Sequence, residues 1–301
     1  MFHSRMRVFL AAAALLWLAP VASAAAQTQS DTIVVTGRTP EATTRFVQQV
    51  DAVPNSADQL ARWDREICVS IAGLPARQGQ FLADRIAQRA FALGLAPGAP
   101  GCQGNVAVFI TNDSDAMARR LFEQDQHLFA YLAEDNVTTL GQAAFQGFLS
   151  SQKAVRWWHV AQTVGADGVA LNGDASVGGM ENAPMVRSRG SRLSDDTRQD
   201  LARAIIIVDA RRVGGAQLAA LGDYIAMVAL AQIDPDADTT GFPTILNLFG
   251  GGANGPTAMT DWDVAFLDGL YSSTRYAANA QQQEREIARR MQMHNGGPGQ
   301  P

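Results

Sequence analysis

The runs RAIIIVD, residues 203–209, and AQLAALGDYIAMVALAQ, residues 216–232, set the architecture of this chain. The first is a short β-branched run, which predicts a strand that is buried on both faces. The second is apolar nearly all round, which predicts a helix that is buried on most sides. Gly214 and Gly215 separate the two runs and predict a turn. A buried strand followed by a buried helix indicates a sheet that packs against helices.

The segments upstream of this pair repeat the order of strand and helix. Residues 66–72 and 105–111 are predicted strands. Amphipathic patterns at 77–95 and 115–126 predict a helix after each of them. Residues 155–164 predict a further strand. We therefore expect an α+β fold in which a mixed sheet packs against helices.

The segments downstream of the strands contain two more predicted helices. Thr260 and Asp263 have the spacing of a capping box, which predicts a helix that runs to Tyr271. Residues 281–293 predict a last, polar helix. The glycine-rich run 165–190 is predicted to be a long loop or an irregular hairpin.

The first 24 residues have the pattern of a secretory signal peptide. Two arginines precede the apolar run 8–20, and residues 22–24 have the small side chains of a cleavage site. The apolar run is shorter than the roughly 20 residues that a permanent membrane helix needs. We expect the mature chain to begin near Ala25, with Gln27 as the alternative. It would act in the periplasm or outside the cell, without a permanent membrane anchor.

Four segments follow from these patterns. Residues 1–24 are the predicted signal peptide, and residues 25–57 are expected to form a flexible N-terminal segment. Residues 58–276 form the α+β domain, and residues 277–301 form a C-terminal helix with a disordered tail. In the N-terminal segment, IVVTGR at 33–38 resembles the start of the plug domain of TonB-dependent receptors.

The composition excludes a disordered chain and disfavours a nucleic-acid-binding protein. The net charge is −5, with 47% hydrophobic and 18% charged residues, which are values of a globular chain and not of a disordered one. The acidic balance provides no basic field for a phosphate backbone, which disfavours a nucleic-acid partner. Lys153 is the only lysine, so arginine supplies nearly all of the positive charge.

Cys68 and Cys102 are the two cysteines of a chain that we expect to be exported. An even count in an oxidising compartment favours one disulfide, and two buried free thiols are the alternative. Cys68 lies in the first predicted strand and Cys102 at the entry to the second, so adjacent strands would bring the two together. The chain-entropy model gives such a bridge about 3–4 kcal/mol of stabilisation.

The motifs of metal and nucleophilic catalysis are incomplete. HExxH is absent, and His127, His159 and His294 have no partner at ligand spacing. Ser150 and Lys153 match S-x-x-K, but the companion elements of penicillin-recognising enzymes are missing, so we interpret the match as a loop or helix end. We expect no metal, no cofactor and no catalytic residue set.

Alternate aspartates at Asp234, Asp236 and Asp238 have the spacing of a calcium loop. Thr239 and Ile245 stand where an EF-hand loop has its glycine and its glutamate. We interpret the segment as an acidic, solvated turn after a helix.

Four polar residues are candidates for a pocket. Asp223 and Tyr224 lie in the middle of the predicted buried helix, where an unpaired polar group would cost on the order of a few kcal/mol. They must have partners, and a structural hydrogen-bonded pair is favoured over a binding or acid–base role, which stays open. Asp209 and Asp263 complete the set, because paired carboxylates suffice for acid–base hydrolysis.

The order of these elements resembles zincin-type domains of uncharacterised secreted proteobacterial proteins. The resemblance is carried by ARWDREICVSIAGL at 61–74, IIIVDARRV at 205–213 and LGDYIAMVALAQ at 221–232. In zincin peptidases the helix after the last strand of the sheet carries HExxH, and the matching helix here has neither the histidines nor the glutamate. The resemblance implies a single zincin-like domain with a degenerate active-site helix that has lost its metal-binding face.

Three functional hypotheses follow. The first is a non-catalytic role in the bacterial cell envelope, in which the protein binds an unidentified envelope protein or ligand. The second is a cell-envelope hydrolase that uses the carboxylates of Asp209, Asp223 or Asp263. The third is an accessory role in TonB-dependent uptake, which depends on IVVTGR alone.

Overall fold

The computed structural model describes residues 37–131, 137–165, 194–250 and 255–294, together with residues 168, 171 and 190. These residues belong to one compact unit that spans residues 36–301. The predicted signal peptide, most of the glycine-rich run and the predicted tail lie outside the described residues. In the part that is described, no helix combines the length and the apolarity needed to cross a membrane.

Five strands form one mixed sheet in the order β1-β2-β5-β4-β3. The strands are β1 Val69–Ala72, β2 Val106–Thr111, β3 Val137–Thr138, β4 Val155–Gly165 and β5 Thr197–Asp209. β1, β2 and β5 are parallel to one another, whereas β4 runs antiparallel to both β5 and β3. The expected α+β fold with a mixed sheet is confirmed.

Helices cover both faces of the sheet. They are α1 Pro40–Val50, α2 Ala76–Ala92, α3 Ser114–Gln124, α4 Gly141–Ser150, α5 Leu218–Leu230, α6 Asp261–Ser272 and α7 Ala280–Met293. Two short 3₁₀ helices lie at His127–Phe129 and Ile245–Asn247. Helix α5 is buried along almost its whole length, as its apolar sequence predicts.

Strand β5 is buried on both faces and separates two groups of apolar side chains. Ile206 and Val208 face the larger core, which includes the side chains of α2 and α5. Ile205 and Ile207 face a smaller aromatic cluster beside α3 and α4. This alternation is the pleat of a strand that has helices on both sides, and it explains the continuous apolar run at 205–208.

Cys68 and Cys102 form the predicted disulfide, with their Cα atoms 6.0 Å apart. Cys68 directly precedes β1, and its carbonyl accepts hydrogen bonds from the amides of Asn105 (3.0 Å) and Val106 (3.1 Å). Gly98 packs against the bridge, because a Cβ at this position would lie 2.5 Å from the Cys102 sulfur. The loop before β2 is therefore held to β1 both covalently and through its backbone.

The N-terminal segment differs from the expectation of flexibility, because Pro40–Val50 forms α1. The Thr39 side chain accepts a hydrogen bond from the Ala42 amide, and Pro40 occupies the first turn, where its missing N–H costs nothing. Phe46 is fully buried, and its ring contacts the ring of Trp262. The segment is polar overall, and only a narrow apolar face of α1 packs against the core, so the composition did not reveal the helix.

The C-terminal helix lies in the same compact unit as the sheet. Helix α7 packs against α6 and α1. Gly269 permits the approach of α7 to α6, because a Cβ there would lie 3.0 Å from the Ile287 carbonyl oxygen. The Gln283 side chain accepts a hydrogen bond of 2.8 Å from the Leu60 amide, which joins α7 to the segment before β1.

The other elements largely match their predictions. The capping box of Thr260 and Asp263 is present at the start of α6. β1 begins later than the predicted residue 66, because Ile67 pairs with Pro97 of the disulfide loop rather than with β2. β3 and α4 were not predicted, because the apolar residues between α3 and β4 do not recur with a clear helical or strand period.

Candidate functional site

Asp223 is fully buried on α5 and is held by two arginines of α2. Its carboxylate accepts paired hydrogen bonds from Arg85 (2.8 Å each) and from Arg89 (2.9 and 3.0 Å). The Met259 amide donates a fifth bond of 2.9 Å. Burial alone would raise the pKa of Asp223, but these donors outweigh burial and hold the pKa below its ordinary value. Asp223 is thus a structural link between α2, α5 and the segment before α6.

Asp209 is the last residue of β5 and is also fully buried. Its carboxylate accepts hydrogen bonds from the Ser114 hydroxyl (3.0 Å) and the Arg211 amide (3.0 Å). The Arg212 guanidinium lies 3.6 Å away. Ser114 in turn accepts a hydrogen bond of 2.9 Å from Arg156. This network ties the end of β5 to the start of α3.

Asp263 is buried at the N-terminus of α6 and serves the capping box. Its carboxylate accepts hydrogen bonds from the Thr260 amide (2.8 Å), the Ile245 amide (2.8 Å) and the Thr244 hydroxyl. Burial raises the pKa of Asp263, although these hydrogen bonds oppose the rise. Its bonds fix the 3₁₀ helix at Ile245–Asn247 to α6.

The structure does not bring the three aspartates together. Each has its own set of partners, and none of them lines any of four cavities formed by the described residues. Of the four candidate pocket residues, only Tyr224 lies at a cavity. The converging carboxylates that the hydrolase hypothesis requires are not found among these candidates.

The residues of the remaining sequence motifs also form structural contacts. The Ser150 hydroxyl donates to the Gln146 carbonyl (2.8 Å), whereas Lys153 pairs with Asp236 (2.8 Å), so the S-x-x-K residues do not interact through these bonds. The Asp234 and Asp238 carboxylates each accept a bond from the amide two residues further on. Within the described ranges, no group of three or more His, Cys, Asp or Glu side chains is placed to hold a metal ion.

Two of the histidines have identified partners. His159 is buried, and its Nε2 lies 2.7 Å from the Val228 carbonyl oxygen. Burial lowers the pKa of His159 to about 4, so the ring is neutral and donates to that carbonyl. His294 lies 3.0 Å from the Asp268 carboxylate at the end of α7.

The cavity beside Tyr224, which we call the Tyr224 cavity, has a volume of about 530 Å³. Three aromatic side chains form its walls: the Tyr224 ring lies 6.2 Å from that of Trp157 and 5.0 Å from that of Phe249. Lys153 and Arg212 are its cationic lining residues. Asp234 also lines it, so the cavity combines an apolar wall with charged groups of both signs.

A second cavity of about 500 Å³, the β4-edge groove, lies between β4, α4 and the turn after α5. Four consecutive residues of β4, 155–158, line it. Because alternate side chains of a strand point to opposite faces, a cavity that touches four in a row follows the edge of the strand. The groove and the Tyr224 cavity share the lining residues Gln152, Lys153, Val155, Trp157, Asp234 and Pro235.

Lys153 lies between the two cavities and lines both. Its ammonium group donates to the Pro235 carbonyl and to the Asp236 carboxylate. The Lys153 and Asp236 side chains are 47% and 90% exposed, so their ion pair contributes little stability. A ligand that offers its own hydrogen-bond acceptor can therefore compete for this ammonium group.

Residues 155–158 of β4 are themselves buried, and their backbone groups alternate between the side that faces β5 and the side that faces the groove. The Asp209 amide donates to the Ala154 carbonyl (2.9 Å), which makes the facing residues 154 and 209 a hydrogen-bonded pair. Antiparallel alternation then turns the N–H and C=O groups of Val155 and Trp157 away from β5. Strand β3, as far as the structure describes it, pairs only with Ala161 and Gln162 of β4. The outer edge at Val155 and Trp157 thus has no strand beside it among the described residues.

Apart from Tyr224, sequence reasoning missed the aromatic walls of these cavities. Gln152, Trp157, Arg212 and Phe249 come from separate segments that only the fold brings together. The adjacent tryptophans of RWWHV were the one available signal, because neighbouring residues of a strand point to opposite faces. Trp157 indeed packs in the larger core, and Trp158 packs in the aromatic cluster.

No similarity to a known protein adds to this description of the site. The chain matches no model of a known protein family, no curated protein and no solved structure.

Proposed function

We propose that this protein binds an extended polypeptide, which adds to the sheet as an antiparallel strand along β4. One observation carries this proposal: the N–H and C=O groups of Val155 and Trp157 that point away from β5 border the groove, and no described strand pairs with them. Strand addition supplies affinity through main-chain hydrogen bonds, and pockets for alternate side chains supply specificity.

The positions of the two cavities support strand addition. Side chains of an added strand alternate between the two faces of the sheet. One set would enter the Tyr224 cavity, on the face that Trp157 shares with α5. The other set would enter the β4-edge groove, on the face that Trp158 shares with α4. One bound segment thus fills both cavities.

The bonding of the aspartates supports binding over hydrolysis. A general acid or base must reach the substrate, and Asp209, Asp223 and Asp263 are buried in hydrogen-bond networks and do not line these cavities. We therefore propose a non-catalytic role. The third hypothesis, an accessory role in TonB-dependent uptake, stays a prediction, because residues 33–36 lie outside the described residues.

We also propose that the protein works outside the cytoplasm and that its scaffold is zincin-like. The disulfide and the signal-peptide pattern support the location. For the scaffold, the support is that α5 directly follows β5, the last strand of the sheet in sequence. Residues 223–227 of α5 do not fit a zinc ion, because arginines occupy the Asp223 carboxylate and Met227 is fully buried in the core.

The test uses a labelled hexapeptide of alternating threonine and valine that ends in phenylalanine, with fluorescence anisotropy as the readout. Gly147→Trp fills the groove, because Gly147 lines it and a Cβ there meets no atom within 4 Å. We expect this variant to weaken binding by about tenfold or more. Gln146→Trp is the matched control, since Gln146 is exposed on the same helix and does not line the groove.

A second peptide, N-methylated at alternate residues, tests the main-chain bonds. N-methylation removes amide donors while the side chains stay the same, so we expect this peptide to bind weakly. If the wild-type protein binds neither peptide, or binds both equally well, strand addition is wrong.

A further inference from the structure

The Tyr224 hydroxyl is a hydrogen-bonding group without a partner in a cavity wall. Tyr224 is 6% exposed, lines the cavity, and its hydroxyl bonds to no described residue. Burial raises the pKa of Tyr224 well above its ordinary value, so the phenol keeps its proton and can donate a hydrogen bond. The expected structural pair of Asp223 and Tyr224 is therefore not formed: Asp223 bonds to arginines, and the Tyr224 hydroxyl is left for a ligand that offers an acceptor.

Two cationic side chains at the same cavity can bind an anionic acceptor, although each of them also contacts an aspartate. Lys153 and Arg212 line the cavity, and Asp234 is the acidic residue among its lining residues. The Arg212 guanidinium donates to the Gln152 side chain (2.6 Å) and lies 3.6 Å from the Asp209 carboxylate, and these two contacts hold it at the cavity. Lys153 is held only by its exposed contacts with the turn after α5. Two cations and a neutral donor match a carboxylate.

The direction of an added strand determines which part of a peptide reaches this cavity. When a peptide runs antiparallel to β4, its C-terminal end lies beside the N-terminal end of β4. Lys153 lies two residues before Val155, the first residue of β4, and both line the Tyr224 cavity. The C-terminal residue of a peptide bound in the proposed orientation therefore lies beside the two cations.

We propose that the Tyr224 cavity binds the C-terminal residue of the added peptide. Its carboxylate faces Lys153, Arg212 and the Tyr224 hydroxyl, and an apolar side chain packs against Trp157 and Phe249. The ligands are then peptides or protein tails with a free, apolar C-terminus. This inference depends on the proposed strand addition and specifies which end of the peptide is read.

The test compares the hexapeptide with a free C-terminus and the same peptide with a C-terminal amide. The amide removes the negative charge and leaves the rest of the ligand unchanged, so we expect it to bind about tenfold more weakly or worse. Tyr224→Phe and Lys153→Gln should each reduce the factor by which the free acid binds more tightly than the amide. They should act mainly on the free acid and leave binding of the amide nearly unchanged.

The outcomes separate this inference from the proposed function. If acid and amide bind equally well and Gly147→Trp still weakens both, strand addition holds and recognition of the C-terminus is wrong. If neither binds, the proposed function fails. N-acetylphenylalanine provides a third arm: if it binds as tightly as the hexapeptide, the cavity is a site for small carboxylates and the peptide terminus is excluded as its specific ligand.

Discussion

Replacing Asp223 with alanine tests whether this residue is structural. The substitution removes the acceptor of five hydrogen bonds and leaves Arg85 and Arg89 without their partner. Loss of one partner from a buried ion pair costs about 3–5 kcal/mol. The arginine side chains are 25% and 26% exposed and can turn towards water, so we expect the lower end of this range, about 3 kcal/mol.

Chemical unfolding followed by circular dichroism measures this loss. Asp223→Asn is the matched control, because it keeps the shape and one acceptor oxygen but loses the charge, and its stability should lie between those of the wild type and the alanine variant. The pKa of Asp223 is lowered in the folded state, so its contribution is present above the ordinary value of 3.8 and is lost as the pH falls through the folded pKa. The wild type and Asp223→Ala should therefore converge in acid.

A single result refutes this reasoning. If Asp223→Ala is as stable as the wild type at neutral pH but no longer binds the hexapeptide, Asp223 has a functional role and the structural assignment is wrong.

Three further predictions concern the disulfide, the buried His159 and the half-buried Asp51. Cys102→Ser should lose about 3–4 kcal/mol of unfolding free energy, and two titratable thiols in the unfolded, non-reduced protein would contradict the bridge. Burial lowers the pKa of His159 from 6.5 to about 4. As the pH falls from 6.5 to about 4, His159 therefore binds a proton in the unfolded chain but not in the folded protein, which lowers the stability of the fold. The wild type should lose roughly 3 kcal/mol over this range and His159→Gln much less; equal losses would show that His159 is not the group responsible. Burial, followed by the nearby Glu284 carboxylate, raises the pKa of Asp51 to about 8, so the folded protein retains a proton that the unfolded chain releases, and stability falls as the pH rises towards 8. Asp51→Asn should therefore be more stabilising at pH 8 than at pH 5 in paired unfolding curves, and the opposite order would contradict the assignment.

Local patterns were sufficient to predict much of the fold. The β-branched run at 205–208 gave the central strand, and the apolar helix after it was correctly expected to be buried. Capping chemistry located α6, because Thr260 and Asp263 act through neighbouring backbone groups. Helix α1 was missed because its buried face contains few residues, and its stability comes from tertiary contacts of Phe46 with distant aromatic rings.

The site was much less predictable than the fold. Asp223 was correctly expected to be satisfied, but its partners Arg85 and Arg89 lie on another helix, more than a hundred residues earlier in sequence. The cavity walls depend on which segments meet at the start of β4. The unpaired edge of β4 at Val155 and Trp157 depends on β3 ending at Thr138, shortly before α4 begins, and no local pattern encodes this pairing.

The most direct test of the account is amide hydrogen exchange at four consecutive residues of β4, with and without the hexapeptide. In the free protein the amides of Arg156 and Trp158, which face β5, should exchange slowly, and those of Val155 and Trp157 should exchange faster. Saturating peptide should slow exchange at Val155 and Trp157 by about tenfold or more and leave the other two amides nearly unchanged. If the peptide binds and these two amides keep their rates, the ligand does not add to β4, and the central claim is contradicted.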